Sequence, residues 1–449
     1  MTTRPPLPVL LALALALAAS AHAQAPAAPD TSLRGYLGQF ADSTDRYFGT
    51  AAAPPDTAGL DSVLADTARP HGHLDWAVLP VFRFERVDGP VWGASASLRD
   101  APRLRGHNGW GKLEGDLERA GGSGTLLGGA RYNDRLWLGG QPFDLGLWAG
   151  RATATLNRDD AGRLLPTLRA LVFGDDWSQY LRADGFTAAL AHQHAGWRAG
   201  VDWSDLLQSP LATTAGWNLA GRALERPANL AAARGRAHEL GLSAAVHWPH
   251  TPLRTEFAYQ TSSRRLGSDF EYRRTRVAAG LELPVARVVS LVPQFAWGRV
   301  RGDAVPQAAF YLGADATLRS LHRDERAGSG FAIAKLDLVS AGDLLATLHL
   351  PHAAAFPIQG ALFAATSAVW GPDPYGGPTV AGVDWPDRNA WASEVGASLL
   401  YSSPLLFPGG GALRVSYAWP IGPDTRVARW SVSISRALDL LDPEPEPGE

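Results

Sequence analysis

The chain has no cysteine and only one methionine in 449 residues. Disulfides, thiolate metal sites and cysteine nucleophiles are therefore excluded. Beyond the first few dozen residues, no apolar run approaches the roughly 18 residues that a membrane-crossing helix needs, so a helical membrane protein is not expected. Lysine is nearly absent: Lys112 and Lys335 are the only lysines among 41 basic residues, and the formal net charge is only -3. With no basic stripe and no phosphate-loop pattern, no nucleic-acid partner is expected. The nucleophile elbow of a serine hydrolase is missing too. Its nearest approach is Gly93-Ala94-Ser95-Ala96-Ser97, which lies in a predicted strand. His71/His73 and His192/His194 are spaced to share a strand face, but two ligands do not make a metal site. Asp175, Asp176 and Asp184 with Arg182 form a charge cluster. Adjacent carboxylates can split their pKa values for acid–base work, but surface-loop charge is the simpler reading. The sequence therefore implies no enzyme, no metal and no cofactor.

What is present is glycine and aromatic residues: 48 Gly, 16 Trp, 10 Tyr and 15 Phe, with 46% hydrophobic residues. A transmembrane barrel needs one apolar residue in two, because the face turned to the lumen is polar. The chain opens with Arg4 and an apolar Leu7–Ala19 run. Ala21-His22-Ala23 follows as a cleavage site, so residues 1–23 read as a signal peptide. No cysteine stands at the expected mature start, Gln24, which argues against a lipid-anchored lipoprotein. Residues 24–72 are rich in Ala, Pro, Asp and Thr. Leu33, Tyr36, Leu37 and Phe40 follow helical spacing within them. This segment reads as a periplasmic linker with a short helix, in preference to a helix that docks into a barrel mouth. It is short for a periplasmic docking domain.

From residue 73 to 438 the chain alternates apolar and polar residues in segments of about ten, separated by Gly, Pro, Asp and Asn. In 412–419, Leu413, Val415, Tyr417 and Trp419 alternate with Ala412, Arg414, Ser416 and Ala418. In 428–435, Trp430, Val432 and Ile434 oppose Arg429, Ser431 and Ser433. Period two puts each set on one side of a sheet. Sixteen such segments can be placed: 73–83, 90–99, 107–118, 122–132, 142–156, 184–193, 196–206, 236–248, 252–262, 270–284, 286–299, 328–339, 357–370, 390–401, 411–420 and 427–437. Long connections (157–183, 207–235, 300–327, 371–389) then fall on one side and tight ones on the other, the asymmetry of outer-membrane barrels. Residues 342–351 read as a short helix in a periplasmic turn, and 439–449 as an acidic, Pro-rich tail. Lys112, Glu114, Asp116 and Glu118 alternate with Leu113 and Leu117 and read as lumen lining. The fold expected is all-β: a transmembrane antiparallel β-barrel of about sixteen strands with a short N-terminal periplasmic segment, set in outer-membrane lipid.

The last third, about residues 284–438, resembles the barrel-assembly insertase superfamily of outer-membrane proteins, bacterial surface-antigen type. That family carries a loop with a Gly-Gly…Thr-(hydrophobic)-Arg-Gly-aromatic motif. Tyr311-Leu312-Gly313-Ala314-Asp315-Ala316-Thr317-Leu318-Arg319-Ser320-Leu321 stands in its place. The family's Asp-x-Gly-x-x-Trp strand is matched by Ala365-Thr366-Ser367-Ala368-Val369-Trp370. Upstream, Phe84-Glu85-Arg86-Val87-Asp88-Gly89 and Phe173 to Phe186 echo two further family stretches. The resemblance implies a lumen-folded loop carrying Gly313, Thr317 and Arg319. In the family that arginine is held by the aspartate of the facing strand; here Ala365 replaces the aspartate, Ser367 the following glycine, and Ser320 the glycine after the arginine. A buried guanidinium needs an acceptor, and Glu394, inward-facing on the next strand, is the candidate partner for Arg319. The alternative leaves the loop outside with Arg319 solvated. The family's terminal aromatic is also replaced, by Leu438. By resemblance, the function is assembly or translocation of outer-membrane proteins, with periplasmic or outer-membrane proteins as partners; the alternative is a passive channel or uptake pore.

Overall fold

The computed structural model describes residues 75–435, apart from 100–110, 158–166, 168–169, 173, 175, 195, 220–227, 249–250, 287, 314–316, 341, 351–356, 378–384, 388–389, 402–411 and 423–425. The segments read as a signal peptide (1–23), a linker (24–72) and an acidic tail (439–449), together with His71/His73, Asp175 and Leu438, lie outside the described residues. The strands are β1 (Asp75–Glu85), β2 (Gly89–Arg99), β3 (Lys112–Ala120), β4 (Leu126–Leu138), β5 (Gln141–Thr155), β6 (Tyr180–His194) and β7 (Trp197–Pro210). There follow β8 (Gly235–His247), β9 (Leu253–Ser262), β10 (Tyr272–Leu281), β11 (Leu283–Ala286), β12 (Val289–Gly302), β13 (Phe310–Leu312) and β14 (Arg326–Gly328). The last are β15 (Gly330–Ser340), β16 (Ile358–Trp370), β17 (Ala392–Tyr401), β18 (Ala412–Ile421) and β19 (Arg429–Ser435). All but β13 and β14 belong to one 17-stranded sheet. The four-residue β11 is a continuation of the β10 edge along β12, so among the described residues sixteen strands form the wall, one for each segment read from the sequence.

The wall is an antiparallel meander in which each strand pairs with the next, for example β1 with β2, β5 with β6, and β18 with β19. Hairpin succession follows from tight turns at one end. Gly139 and Gly140 both adopt positive φ, 60° and 78°, and close a two-residue turn between Leu138 and Gln141. That geometry suits hairpins but strains residues with a Cβ. The turn extends β4 six residues past the 122–132 segment. The expected helix at 342–351 is one turn, Leu344–Thr347, capped by the Asp343 side chain.

Period-two alternation sorts the wall into two faces. Phe82, Leu117, Leu126, Leu362 and Trp430 are all more than half exposed on the outside. So large an apolar surface is unfavourable against water and is what a bilayer accommodates. The opposite residues turn inward: Ser290, Gln294, Arg414, Ser416, Ser431 and Ser433 are buried. The strands thus wrap round a lumen as a transmembrane β-barrel of the outer-membrane type. No described helix is long and apolar enough to cross a membrane.

The lumen departs from the uniformly polar lining expected. On β10, β12, β15, β16 and β17 the inward residues include Ala278, Ala296, Ile333, Ala365 and Ala392. They form an apolar cluster with Phe310, Leu312, Leu318 and Leu321 of the β12–β15 connection. Small wall residues leave room there, and a loop fills it. On β2 to β5 the lining is charged and only partly covered, with Lys112–Glu114 (2.7 Å) and Arg135–Asp144 (2.8 Å) pairs.

Candidate functional site

The β12–β15 connection leaves the long-loop end of the barrel, makes the β13–β14 hairpin and sends residues 317–325 into the lumen. The reversal begins at Gly313. Its φ is 125°, and a Cβ there would stand 1.7 Å from the His322 carbonyl oxygen, so only glycine fits. The Gly313 N–H donates to Thr317 Oγ1 at 2.8 Å, tying both ends of the bend. Arg319 follows, 1% exposed. The loop is therefore folded in, and the solvated alternative for Arg319 does not hold.

The structure brings Arg319 and Glu394 together, though not as a guanidinium–carboxylate pair. Glu394 accepts two consecutive backbone N–H groups, from Arg319 at 2.9 Å and Ser320 at 2.7 Å. The Arg319 guanidinium instead lies 4.1 Å above the Phe363 ring, with Nη2 3.7 Å from Asp337 Oδ1. The reason is geometric. Glu394 is directly paired with Ala365 in the sheet, so its carboxylate rises beside the loop backbone, while the arginine side chain reaches past it toward β15 and β16. Arg414 also donates to Asp337. Arg426 donates to Ser320 Oγ at 2.5 Å and to the Ser393 carbonyl at 3.1 Å. Asp337, Phe363, Arg414 and Arg426 were not found by sequence reasoning. Inward parity on their strands was a usable signal for Asp337 and Arg414, whereas nothing in the pattern marks Phe363 as a platform for a cation.

A second cluster covers the same end. In the tight β1–β2 turn, Arg86 and Asp88 are both fully buried. Asp176 accepts the Arg86 backbone N–H at 2.9 Å and the Tyr180 hydroxyl at 3.0 Å, and Arg86 Nη2 donates to the Ser178 carbonyl at 2.6 Å. Asp88 accepts from Arg182 Nη2 at 2.8 Å, from Ser123 Oγ at 2.9 Å and from Thr153. Burial pushes the Asp88 carboxyl up, but the bonds from Arg182, Thr153 and Ser123, with the Arg182 charge, outweigh it. Asp88 titrates below its usual range. Asp176 and Arg182, read from sequence as surface-loop charge, are instead 3% and 5% exposed. The reason is that the β1–β2 turn packs against both, Arg86 on Asp176 and Asp88 on Arg182. Asp184 pairs with Arg151 near the surface.

The two clusters interlock. Asp324 of the folded-in loop accepts from Asn157 Nδ2 at 2.8 Å and from the Gln179 backbone at 3.3 Å, and the Tyr375 hydroxyl donates to its carbonyl. Trp177 stacks on His322 with centroids 3.8 Å apart. Connections that are far apart along the meander thus meet across the mouth. Of the histidine pair, His192 Nδ1 lies 2.6 Å from the Pro142 carbonyl and the ring packs on Phe143, while His194 sits by Trp197. No group of three metal-type ligands occurs among the described residues.

No family model matches the chain, and no curated protein matches it. Among solved structures it is similar to BamA from Haemophilus ducreyi lacking POTRA domains 1–3, at 11% identity and a TM-score of 0.49, over 81% of this chain and 69% of that one. It is also similar to CdiB from Escherichia coli, at 10% identity and a TM-score of 0.43, over 80% of this chain and 62% of that one. Pseudomonas aeruginosa OpdK with vanillate is a third, at 12% identity and a TM-score of 0.39, over 80% of this chain and 96% of that one. The likeness is one of barrel fold.

Proposed function

We propose that this chain is exported to the bacterial outer membrane and serves there as a loop-gated barrel of the assembly or translocation type, acting on protein clients that reach it from the periplasm. The observation that carries this reading is the folded-in loop: residues 317–321 are packed on the wall, and Glu394 binds two of their backbone N–H groups. A passive pore works best with a permanently open lumen. Here the outer loops meet over the mouth through Asp324, Asp176 and Asp88, which a permanently open pore does not need. A barrel covered at its outer mouth suits a client arriving from the periplasmic side. The sequence resemblance to the insertase superfamily points the same way. The charged lining of β2 to β5 favours the second reading, a channel for small polar solutes.

Two measurements separate them. Purified protein in planar bilayers should be closed for most of the record, with brief openings, and a deletion strain should show reduced levels of other outer-membrane barrels. Steady conductance of wild-type protein together with unchanged barrel levels would establish the pore and end the assembly reading.

A further inference from the structure

Away from the folded-in loop, the lumen wall carries a cavity at the short-turn end of β6 to β10. It is about 120 Å³, lined by Arg198, Ser243, His247, Arg254, Glu256 and Arg276 among others. Its floor is set by register. Arg198, Ala245 and Glu256 are successive partners along one hydrogen-bonded row; Gly200, Ser243, Ala258 and Arg276 form the next; His247 and Arg254 form a third. Paired residues point to the same face, so small side chains make a shallow floor and three guanidinium groups rise round it. Among the described residues of the lining, Glu256 is the only acidic one. Arg254 Nη2 lies 3.0 Å from it and Arg276 Nη1 3.6 Å. Three arginines against one glutamate leave the lining at +2 with histidine neutral. A cleft lined mainly by one sign of charge draws in groups of the other sign.

We infer that this cavity binds a phosphate group, presented on a soluble molecule that enters from the periplasmic side. Charge chooses phosphate over carboxylate: a phosphomonoester carries about -1.5 to -2 at neutral pH and offers three acceptor oxygens, which match the +2 lining, whereas a carboxylate brings one charge. Guanidinium forks bind such oxygens in pairs. The volume admits a phosphate group with room beside it, and the rest of the ligand extends into the lumen. Phospholipid headgroups are the less suitable source, because the arginines stand on the lumen face of the wall, opposite the bilayer side where Val201 and Leu242 are exposed.

The test is calorimetric titration of the full-length protein in detergent with inorganic phosphate, glycerol phosphate and acetate at constant ionic strength. Saturable binding of both phosphates, at least tenfold tighter than acetate, is expected. Arg198→Gln with Arg276→Gln should weaken phosphate binding at least tenfold. Glu256→Gln removes the competing carboxylate and should tighten it severalfold, a gain that misfolding does not mimic. Absence of saturable phosphate binding, acetate binding as tight as phosphate, or a Glu256→Gln variant that binds phosphate no better would overturn the assignment. None of these outcomes bears on whether the barrel assembles proteins or conducts.

Discussion

Glu394→Ala is the perturbation that isolates the loop anchor. It removes the acceptor of two hydrogen bonds, from the backbones of Arg319 and Ser320, while leaving the wall pairing of β17 with β16 and β18 intact. Hydrogen bonds to a charged acceptor contribute roughly 1.5–3 kcal/mol each. Two bonds on one carboxylate are not additive, and the apolar contacts of Leu318 and Leu321 survive, so about 2–4 kcal/mol of loop docking should be lost. At about 1.4 kcal/mol per decade, the undocked population rises on the order of 30- to 1000-fold. Single-channel recording reads this directly, as an increase of that order in time spent open. Glu394→Gln keeps an acceptor oxygen without the charge and should fall between the two. Heat-modifiable migration on gels should be unchanged in both variants, since the barrel wall is untouched. If Glu394→Ala opened no more often than wild type, the two bonds would not be holding the loop, and the gating argument built on them would be wrong.

Gly313→Ala should release the same loop by another route. Its Cβ would meet the His322 carbonyl at 1.7 Å and its φ of 125° disfavours any side chain; a cost of about 1–3 kcal/mol should appear as raised open time, and wild-type behaviour would refute the bend. The Asp88 cluster carries an acid dependence. Its folded pKa is depressed, so its contribution is present above the ordinary carboxylate pKa of about 4 and is lost as pH falls through the depressed value. Protease nicking of the outer loops by an acid-active enzyme should accelerate below about pH 4, and Asp88→Asn should be loose already at neutral pH; nicking independent of pH in wild type would contradict this. Register is checked by a pair of substitutions. Val432→Arg, on the lipid face, should cost about 2–4 kcal/mol in urea unfolding from detergent or lipid if it lies near the midplane. Ser95→Arg, inward beside Asp116, should cost less. Equal costs would place one of them on the wrong face.

The wall was legible because barrel strands advertise themselves locally. Trp430 and Val432 against Ser431 and Ser433 need only a period of two, and long and short connections alternate by geometry. The Gly139-Gly140 turn lay inside an assumed nine-residue gap because two adjacent glycines give a turn but not its position within the ladder. The lumen was harder to read. Ala278, Ala296 and Ala365 look like indifferent wall positions, and only the loop that packs on them turns them into an apolar core. Arg319 and Glu394 were identifiable as neighbours from the family motif and from strand parity. Their mode of contact was not, because which atoms meet depends on where the loop backbone lies. Asp176 and Arg182 looked like solvated loop charges for the same reason: burial by a distant connection leaves no local trace.

The most direct measurement uses the absence of cysteine. Ser320→Cys places a single thiol on the folded-in loop, at a residue 6% exposed, and Arg265→Cys places one on the exposed β9–β10 turn. Intact cells are treated with a membrane-impermeant maleimide. A barrel with its loop docked in the lumen predicts that Arg265→Cys labels within minutes and Ser320→Cys at least tenfold more slowly, with Glu394→Ala restoring fast labelling. Equal labelling of the two single-cysteine proteins, or a Ser320→Cys rate indifferent to Glu394, would contradict it.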